Sequence, residues 1–304
     1  MIAFGTSITA PDVYRRCAAP GIRLAAEPDS RVIAQDAAGS IFRSYNLILE
    51  QAAALEDLEA LVLVHQDAEI VELAFCGKLR QALSDPEVGV VGCVGAVGVR
   101  SIAWWEGSTT WGSFTHRYQE QGGGEFPAFA WNTDKLPPYA RTGEVDMVDG
   151  FVLGLSPWTV HNVRFDESLG LQLHGYDFDF CLQVRAAQRK VVTIDAKVVH
   201  HHSLELVSDP ETYVESHMKI AEKWHGRMPN VGVAGGDWKA RARRAEAEAA
   251  AARAQAIGAR LEIDARERQQ DREFEELVNS TSWRITAPLR RLNALRRAGR
   301  PRPT

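Results

Sequence analysis

The chain has 304 residues, enough for one large domain with appendages or for two modest ones. A formal net charge of −5 leaves no overall basic field, so nucleic acid is excluded as the expected partner. Four scattered cysteines form no CxxC pair and sit in or beside apolar stretches, which reads as reduced, buried thiols rather than a disulfide framework.

The start, MIAFGTSITAPDVYRR, lacks the basic n-region and long apolar core of a signal peptide, so a cytoplasmic protein is expected. No run reaches the ~20 apolar residues that span a bilayer. Short apolar runs then alternate with helical patterns through the first two hundred residues. Ile2-Ala3-Phe4 reads as a strand, followed by a Pro11-led helix carrying Val13, Tyr14 and Cys17. Ile22–Ala25 and Val32-Ile33-Ala34 read as short strands. Ser40 is placed to cap a helix with an apolar stripe through Ile41, Tyr45, Ile48 and Ala52.

Leu61-Val62-Leu63-Val64 is the continuous apolar run of a strand buried on both faces of a mainly parallel sheet. It ends at His65-Gln66-Asp67, and in open α/β sheets ligands bind outside such carboxyl ends. A helix from Ile70 to about Leu83 and a strand over Val88–Val94 repeat the unit, which predicts a doubly wound α/β sheet. Trp104–Arg141 is rich in Trp, Gly and Pro and without a period, so it reads as a long loop, functional or mobile. Val145–Leu155 reads as a strand, Gly175–Ala187 as a helix, and Val191–Ile194 and Val198-Val199 as the last strands. From Trp238 to Val278 the composition turns to Ala, Arg, Glu and Gln, predicting a long, weakly heptad-patterned helix. No acid follows Glu276, whereas seven arginines crowd the end around Trp283, Ile285 and Leu289.

Three clusters carry candidate chemistry. Asp67 either holds a divalent cation against a diphosphate or caps the following helix. Asp177 and Asp179 lie two apart and diverge by ~200° on a helix, so they cannot share one task. In His200-His201-His202 an extended backbone puts His200 and His202 on one face and His201 on the other, and one neutral imidazole would complete a metal site with Asp67.

The ordered series SIFRSYN, LVLVHQD, VVGCVGA, Trp104-Trp105, VDGF, RFDE, HGYDFDFCL and HHS resembles the family 2-like glycosyltransferases of the GT-A fold. More narrowly, it is similar to the bacterial subgroup with HQD in place of the usual DxD. The resemblance covers about residues 1 to 206. It implies a doubly wound, mainly parallel GT-A domain over 1–232, followed by an Ala/Arg/Glu-rich helix over 233–279 and a basic amphipathic tail over 280–304.

Asp67 then matches the last acid of DxD, the ligand of Mn²⁺ or Mg²⁺ under the donor diphosphate, while His65 replaces the first acid. Asp177 matches the general base of an inverting transfer, and Tyr176 stands where the family has Glu. His201 best fits the metal histidine, with His202 its alternate. Thr6, Ser7, Glu27 and Ser40 fall where early loops contact the nucleotide. Asp149-Gly150 line the donor sugar or acceptor, and Tyr45, His65, Gln66, Trp105 and Tyr176 complete the donor and acceptor set.

The implied activity is inverting sugar transfer from a nucleoside-diphosphate sugar to a hydroxyl on a glycan, lipid-linked or protein acceptor, in bacterial surface polysaccharide or glycan assembly. Asn279–Leu295 resembles the NSTSWRITAPLR segments that follow such domains. Its arginines imply contact with the inner leaflet, and the long helix implies a possible route to oligomers. The alternative reading is a catalytically silent scaffold of the same fold that binds glycan or nucleotide.

Overall fold

The computed structural model describes residues 1–104, 107–110, 114–118, 125–127, 139–140, 142–202, 209–227, 266, 268–288 and 290, with the backbone alone for 114–118, 125–127, 139–140, His202 and Pro210. The chain divides into two compact units, Met1–Trp238 and Lys239–Thr304.

The first unit opens with β1 (Ile2–Ile8), α1 (Pro11–Arg16), α2 (Ala18–Ala25), β2 (Arg31–Asp36) and α3 (Ile41–Ala53). There follow β3 (Ala60–Val64), β4 (Ala68–Ile70), α4 (Phe75–Leu83), β5 (Val88–Gly92) and β6 (Gly95–Val97). Short strands come next: β7 (Ser108–Thr110), β8 (Phe114–Tyr118), β9 (Glu125–Pro127), β10 (Tyr139–Ala140), β11 (Glu144–Val145), β12 (Met147–Val148) and β13 (Val152–Leu155). The unit closes with α5 (Pro157–Asn162), α6 (Tyr176–Ala186), β14 (Lys190–Thr193), β15 (Val198–His202) and α7 (Pro210–Trp224).

Seven strands form the central sheet in the order β11-β14-β5-β13-β3-β1-β2. Five run parallel; β13 and β11 run against them. This is the expected mixed α/β class with a mainly parallel sheet. The period of two sorts each strand's side chains between two cores, because both faces are covered. Ala3, Leu61 and Leu63 join Tyr45 and Ile48 of α3 on one face. Ile2, Phe4, Val62 and Val64 join Ile22 of α2 and Phe75 and Leu79 of α4 on the other. Two four-stranded sheets, β10-β7-β6-β12 and β4-β15-β8-β9, flank this layer.

Several sequence expectations change. Ile22–Ala25 is the end of helix α2, not a strand: Ala18, Gly21, Ile22 and Ala25 are buried at helical spacing. No helix begins at Ile70. Residues 68–70 pair with β15 as strand β4, and α4 starts at Phe75, so Asp67 caps no helix. The described residues within Trp104–Arg141 include four short strands, each too brief to carry a period. The run Val145–Leu155 breaks into β11, β12 and β13, with Asp149-Gly150 at the turn.

Helix α6 is anchored from within. Gly175 precedes it with φ +79, and a Cβ there would lie 2.3 Å from Ile220 Cδ1, so glycine is required on both counts. Asp179, fully buried, accepts from Trp224 Nε1 at 2.7 Å, Lys223 Nζ at 2.9 Å and Gln183 Nε2 at 2.9 Å, tying α7 to α6. It is thus spent on structure, as its divergence from Asp177 requires.

In the second unit, residues 268–279 are helical, and Ser280 Oγ accepts from Trp283 N to start Thr281–Ile285. Arg290 lies 3.7 Å over the Trp283 ring, a cation–π contact. The rest of the expected long helix and most of the basic tail fall outside the described residues. No helix among the described residues is long and apolar enough to cross a membrane.

Removing Asp179 takes the acceptor from the buried Trp224 Nε1, while Lys223 keeps Asp166. Asp179→Ala is therefore expected to lower unfolding free energy by ~1–3 kcal/mol in urea titration. A loss below ~1 kcal/mol would show that α7 is held by other contacts.

Candidate active site

Strand direction assembles the site. β1 and β3 are parallel, and the Gly5–Leu63 register carries Thr6 and Ser7 to the level of Val64 and His65. β13 runs the other way, with Val152 opposite Val64, so its beginning lies at the same edge. His65 N–H donates to Phe151 O at 2.9 Å, fixing the two chains together. β15 arrives through its pairing with β4 and through His201 N–H, which donates to the Asp67 carbonyl at 2.9 Å.

At this edge His65, Asp67 and His200 each offer a ligand atom, all within 4.8 Å of one another. His65 Nδ1 is 3.7 Å from Asp67 Oδ1, and His200 Nε2 is 3.6 Å from Asp67 Oδ2. Burial opposes ionisation of Asp67, yet the hydrogen bond from His200, then the charges of His200 and His65, hold its carboxyl well below the usual range. Burial likewise disfavours the His200 cation, but Asp67, and then Asp149, raise its pKa on balance. Asp67 has the most open side chain of the three, 33% exposed against 21% and 9%, and gives a ligand its approach.

One carboxylate and two imidazoles within this span fit a divalent cation. The nitrogen donors suit Mn²⁺ better than Mg²⁺, which prefers oxygen throughout.

This geometry corrects the expected histidine. His201 turns to the opposite face, where its Nε2 meets Glu69 Oε2 at 2.8 Å. His200 turns to Asp67 and stacks on Phe151 at 4.8 Å between ring centroids. The alternation of an extended strand held the signal: only one of two neighbouring residues can face Asp67. The His202 side chain lies outside the described residues.

Asp177 stands at the start of α6. Its carboxylate accepts from Gly150 N at 3.0 Å and Phe178 N at 2.8 Å. Burial, then the neighbouring Asp149 charge, push it up to about 7, and the two backbone hydrogen bonds do not offset them. Asp149 Oδ1 in turn accepts from Phe151 N at 3.2 Å. Tyr176 lies against Gly150, where a Cβ would stand 2.0 Å from its hydroxyl, and that hydroxyl meets His65 Nε2 at 2.5 Å. Tyr45 packs edge-on to Tyr176 with ring centroids 5.6 Å apart, and its buried hydroxyl has no hydrogen-bond partner among the described residues. Burial raises both phenols, so they stay neutral.

The remaining expected site residues divide. Thr6 is buried at the carboxyl end of β1, its Oγ1 without a hydrogen-bond partner among the described residues, and Ser7 is half-buried beside it. Ser40 is the N-cap of α3, accepting from Arg43 N. Gln66 turns to the loop after β1. Its amide accepts from Thr9 N and Ala10 N and donates to Thr9 Oγ1, holding the loop after β1.

Glu27 is a correction. It takes both arms of Arg80, at 2.7 and 2.6 Å, and Arg80 also pairs with Glu59, which precedes β3; Glu27 therefore lies at the opposite end of the strands from Asp67. Trp105 falls outside the described residues. Trp104 packs against both cores. All four cysteines are free and buried, and burial pushes the Cys93 and Cys181 thiols up to about 12, far from a nucleophile's range.

Residues 3–223 match the family described as "Glycosyltransferase like family". The chain belongs to this family. It is 31% identical over 209 residues to the streptomycin biosynthesis protein StrF of Streptomyces griseus, an alignment covering 67% of each chain. Among solved structures it is similar to the mannosyltransferase PcManGT from Pyrobaculum calidifontis in complex with GDP-Man and Mn²⁺ (TM-score 0.47, 12% identity, 75% of this chain and 65% of that one). It is also similar to GalNAc-T7 with UDP, GalNAc and Mn²⁺ (TM-score 0.48, 10% identity), covering 75% of this chain and about half, 48%, of that one.

If the histidine facing Asp67 is the ligand, His200→Ala weakens Mn²⁺ binding on the order of tenfold or more. His201→Ala leaves it nearly unchanged. Isothermal titration of both variants decides the assignment, and the reverse pattern would return the role to His201.

Proposed function

We propose that this family member transfers a sugar from a nucleoside-diphosphate sugar to a hydroxyl acceptor, inverting the anomeric centre. The observation that supports this reading best is the meeting of His65, Asp67 and His200 with Asp177 at one end of the sheet. Those three side chains would hold Mn²⁺, or less readily Mg²⁺. When bound, the cation supplies Lewis-acid neutralisation of the departing diphosphate.

Asp177 performs the proton chemistry. Its carboxylate takes the acceptor hydroxyl's proton as the oxygen attacks the anomeric carbon, and a base raised to about 7 is matched to neutral pH. The Gly150 and Phe178 N–H groups fix the carboxylate without neutralising it. Tyr176 and Tyr45 stay protonated and pack edge-on to each other within the core beside His65. With Asp177 acting as base rather than as nucleophile, displacement is direct and inverts the anomeric centre.

The acceptor we infer is carbohydrate. The sequence resemblance supports a bacterial surface polysaccharide or glycan, whereas the relative named for streptomycin biosynthesis supports a second reading, a small glycoside. We further place the enzyme in the cytoplasm with its basic C-terminal segment on an anionic leaflet, a reading supported by sequence composition alone.

A panel of nucleotide sugars with Mn²⁺ is expected to reveal one that turns over, with the product inverted by NMR and the activity lost in EDTA. Asp177→Asn should then lower turnover ~10²–10⁴-fold. Binding without turnover across donors and acceptors would favour the silent scaffold.

The pH profile has a definite sign. Asp177 is protonated below its raised pKa, so kcat/KM is present above about 7 and falls about tenfold per unit as pH drops below it. A flat profile from pH 5 to 8 would remove Asp177 as the base.

A further inference from the structure

His65 and Tyr176 are 111 residues apart in sequence and depart independently from the expected pattern, yet they touch. The Tyr176 hydroxyl lies 2.5 Å from His65 Nε2. Tyr176 is 5% exposed and held by aromatic neighbours on several sides: Tyr45 at 5.6 Å, Phe165 at 6.0 Å and Phe42 at 6.2 Å between centroids. Its hydroxyl also lies over Gly150, where no side chain fits. The phenol is therefore a fixed point, and the imidazole is oriented by it.

A histidine has two ring nitrogens, and the partner of one decides what the other can do. With Nε2 engaged by Tyr176, Nδ1 is the nitrogen turned to Asp67, 3.7 Å away. Ligation through Nδ1 needs that nitrogen unprotonated, so the proton sits on Nε2 and is donated to the Tyr176 oxygen.

We propose that Tyr176 is a positioning residue that presents His65 Nδ1 to the cation beside Asp67, linking the metal pocket to the helix start that carries Asp177. This rests on the metal reading given above. Tyr176 and Asp177 are adjacent at the N-terminus of α6, and both engage Gly150, one by packing on it and one by accepting its N–H. The ligand and the base are thereby set by one short segment, and a shift of α6 moves both.

The test is Mn²⁺ affinity without donor, read by electron paramagnetic resonance, with Mn²⁺-induced broadening of the His65 ring ¹⁵N signals as a second readout. Tyr176→Phe keeps the ring and its packing and removes only the hydroxyl. It is expected to weaken Mn²⁺ binding about 10–100-fold and to reduce the broadening at His65. In a His65→Ala background the same substitution should add nothing, since the coupling passes through the imidazole. Unchanged affinity in Tyr176→Phe, or an equal loss with and without His65, would overturn the positioning role. Asp67→Asn separates the two levels: if it leaves Mn²⁺ binding intact, the metal reading has failed. If it abolishes binding while Tyr176→Phe does not weaken it, only the role of Tyr176 has failed.

Discussion

Val152 lies opposite Val64 in an antiparallel pair placed inside an otherwise parallel sheet, and the position of the candidate site follows from it. A parallel strand at this place would have brought its far end to the edge where β1 and β3 finish. The reversed β13 brings its beginning, and with it Asp149, Gly150 and Phe151. His65 N–H then closes onto Phe151 O, and His200 stacks on the Phe151 ring. Without this reversal the Gly150 N–H would have no route to Asp177, and α6 would lack the contact that aligns its first turn with His65, Asp67 and His200.

The carboxylates gathered here diverge in their environments. Asp67 is flanked by two imidazoles, which outweigh its burial and keep it ionised. Asp177 is enclosed and faces another carboxylate, so its proton is held to about 7. Two acids of one residue type acquire two protonation behaviours through surroundings alone, the divergence on which the proposed division between cation ligand and base rests. Asp179 has a third fate: the same helix turns it into the interior, where Lys223 and Trp224 consume it.

Much of this was legible in the residues themselves. The run Leu61–Val64 announced a strand buried on both faces, and its end announced a site, because buried parallel strands have few other places to present polar groups. The capped helix at Ser40 and the helix opening at Gly175 were equally plain. What local pattern could not give was choice among partners. Whether His200 or His201 meets Asp67 depends on which face of β15 turns inward, and that is set by pairing with β4, itself too short to recognise between Asp67 and Glu72. Ile22–Ala25 was misread because Ile22, Leu24 and Ala25 around Arg23 fit either period until Ala18 and Gly21 are included. Gln66 and Glu27 looked free for a ligand because Thr9, Ala10 and Arg80, their partners, are distant in sequence.

Most of the groups that orient the site are backbone N–H donors or buried rings rather than long, mobile side chains. Gly150 N–H and Phe178 N–H hold the Asp177 carboxylate, His201 N–H holds the Asp67 carbonyl, and a packed phenol holds His65. Such donors lose little entropy when a substrate arrives, since they are already ordered by the sheet and by α6. The arrangement also explains why Gly150 is so constrained. Its N–H serves Asp177 while its missing side chain leaves room for Tyr176, so a single added methyl group would strike the phenol and disturb Asp177 and His65 together. Precision at the site thus comes from close backbone approach, which a glycine at that turn permits.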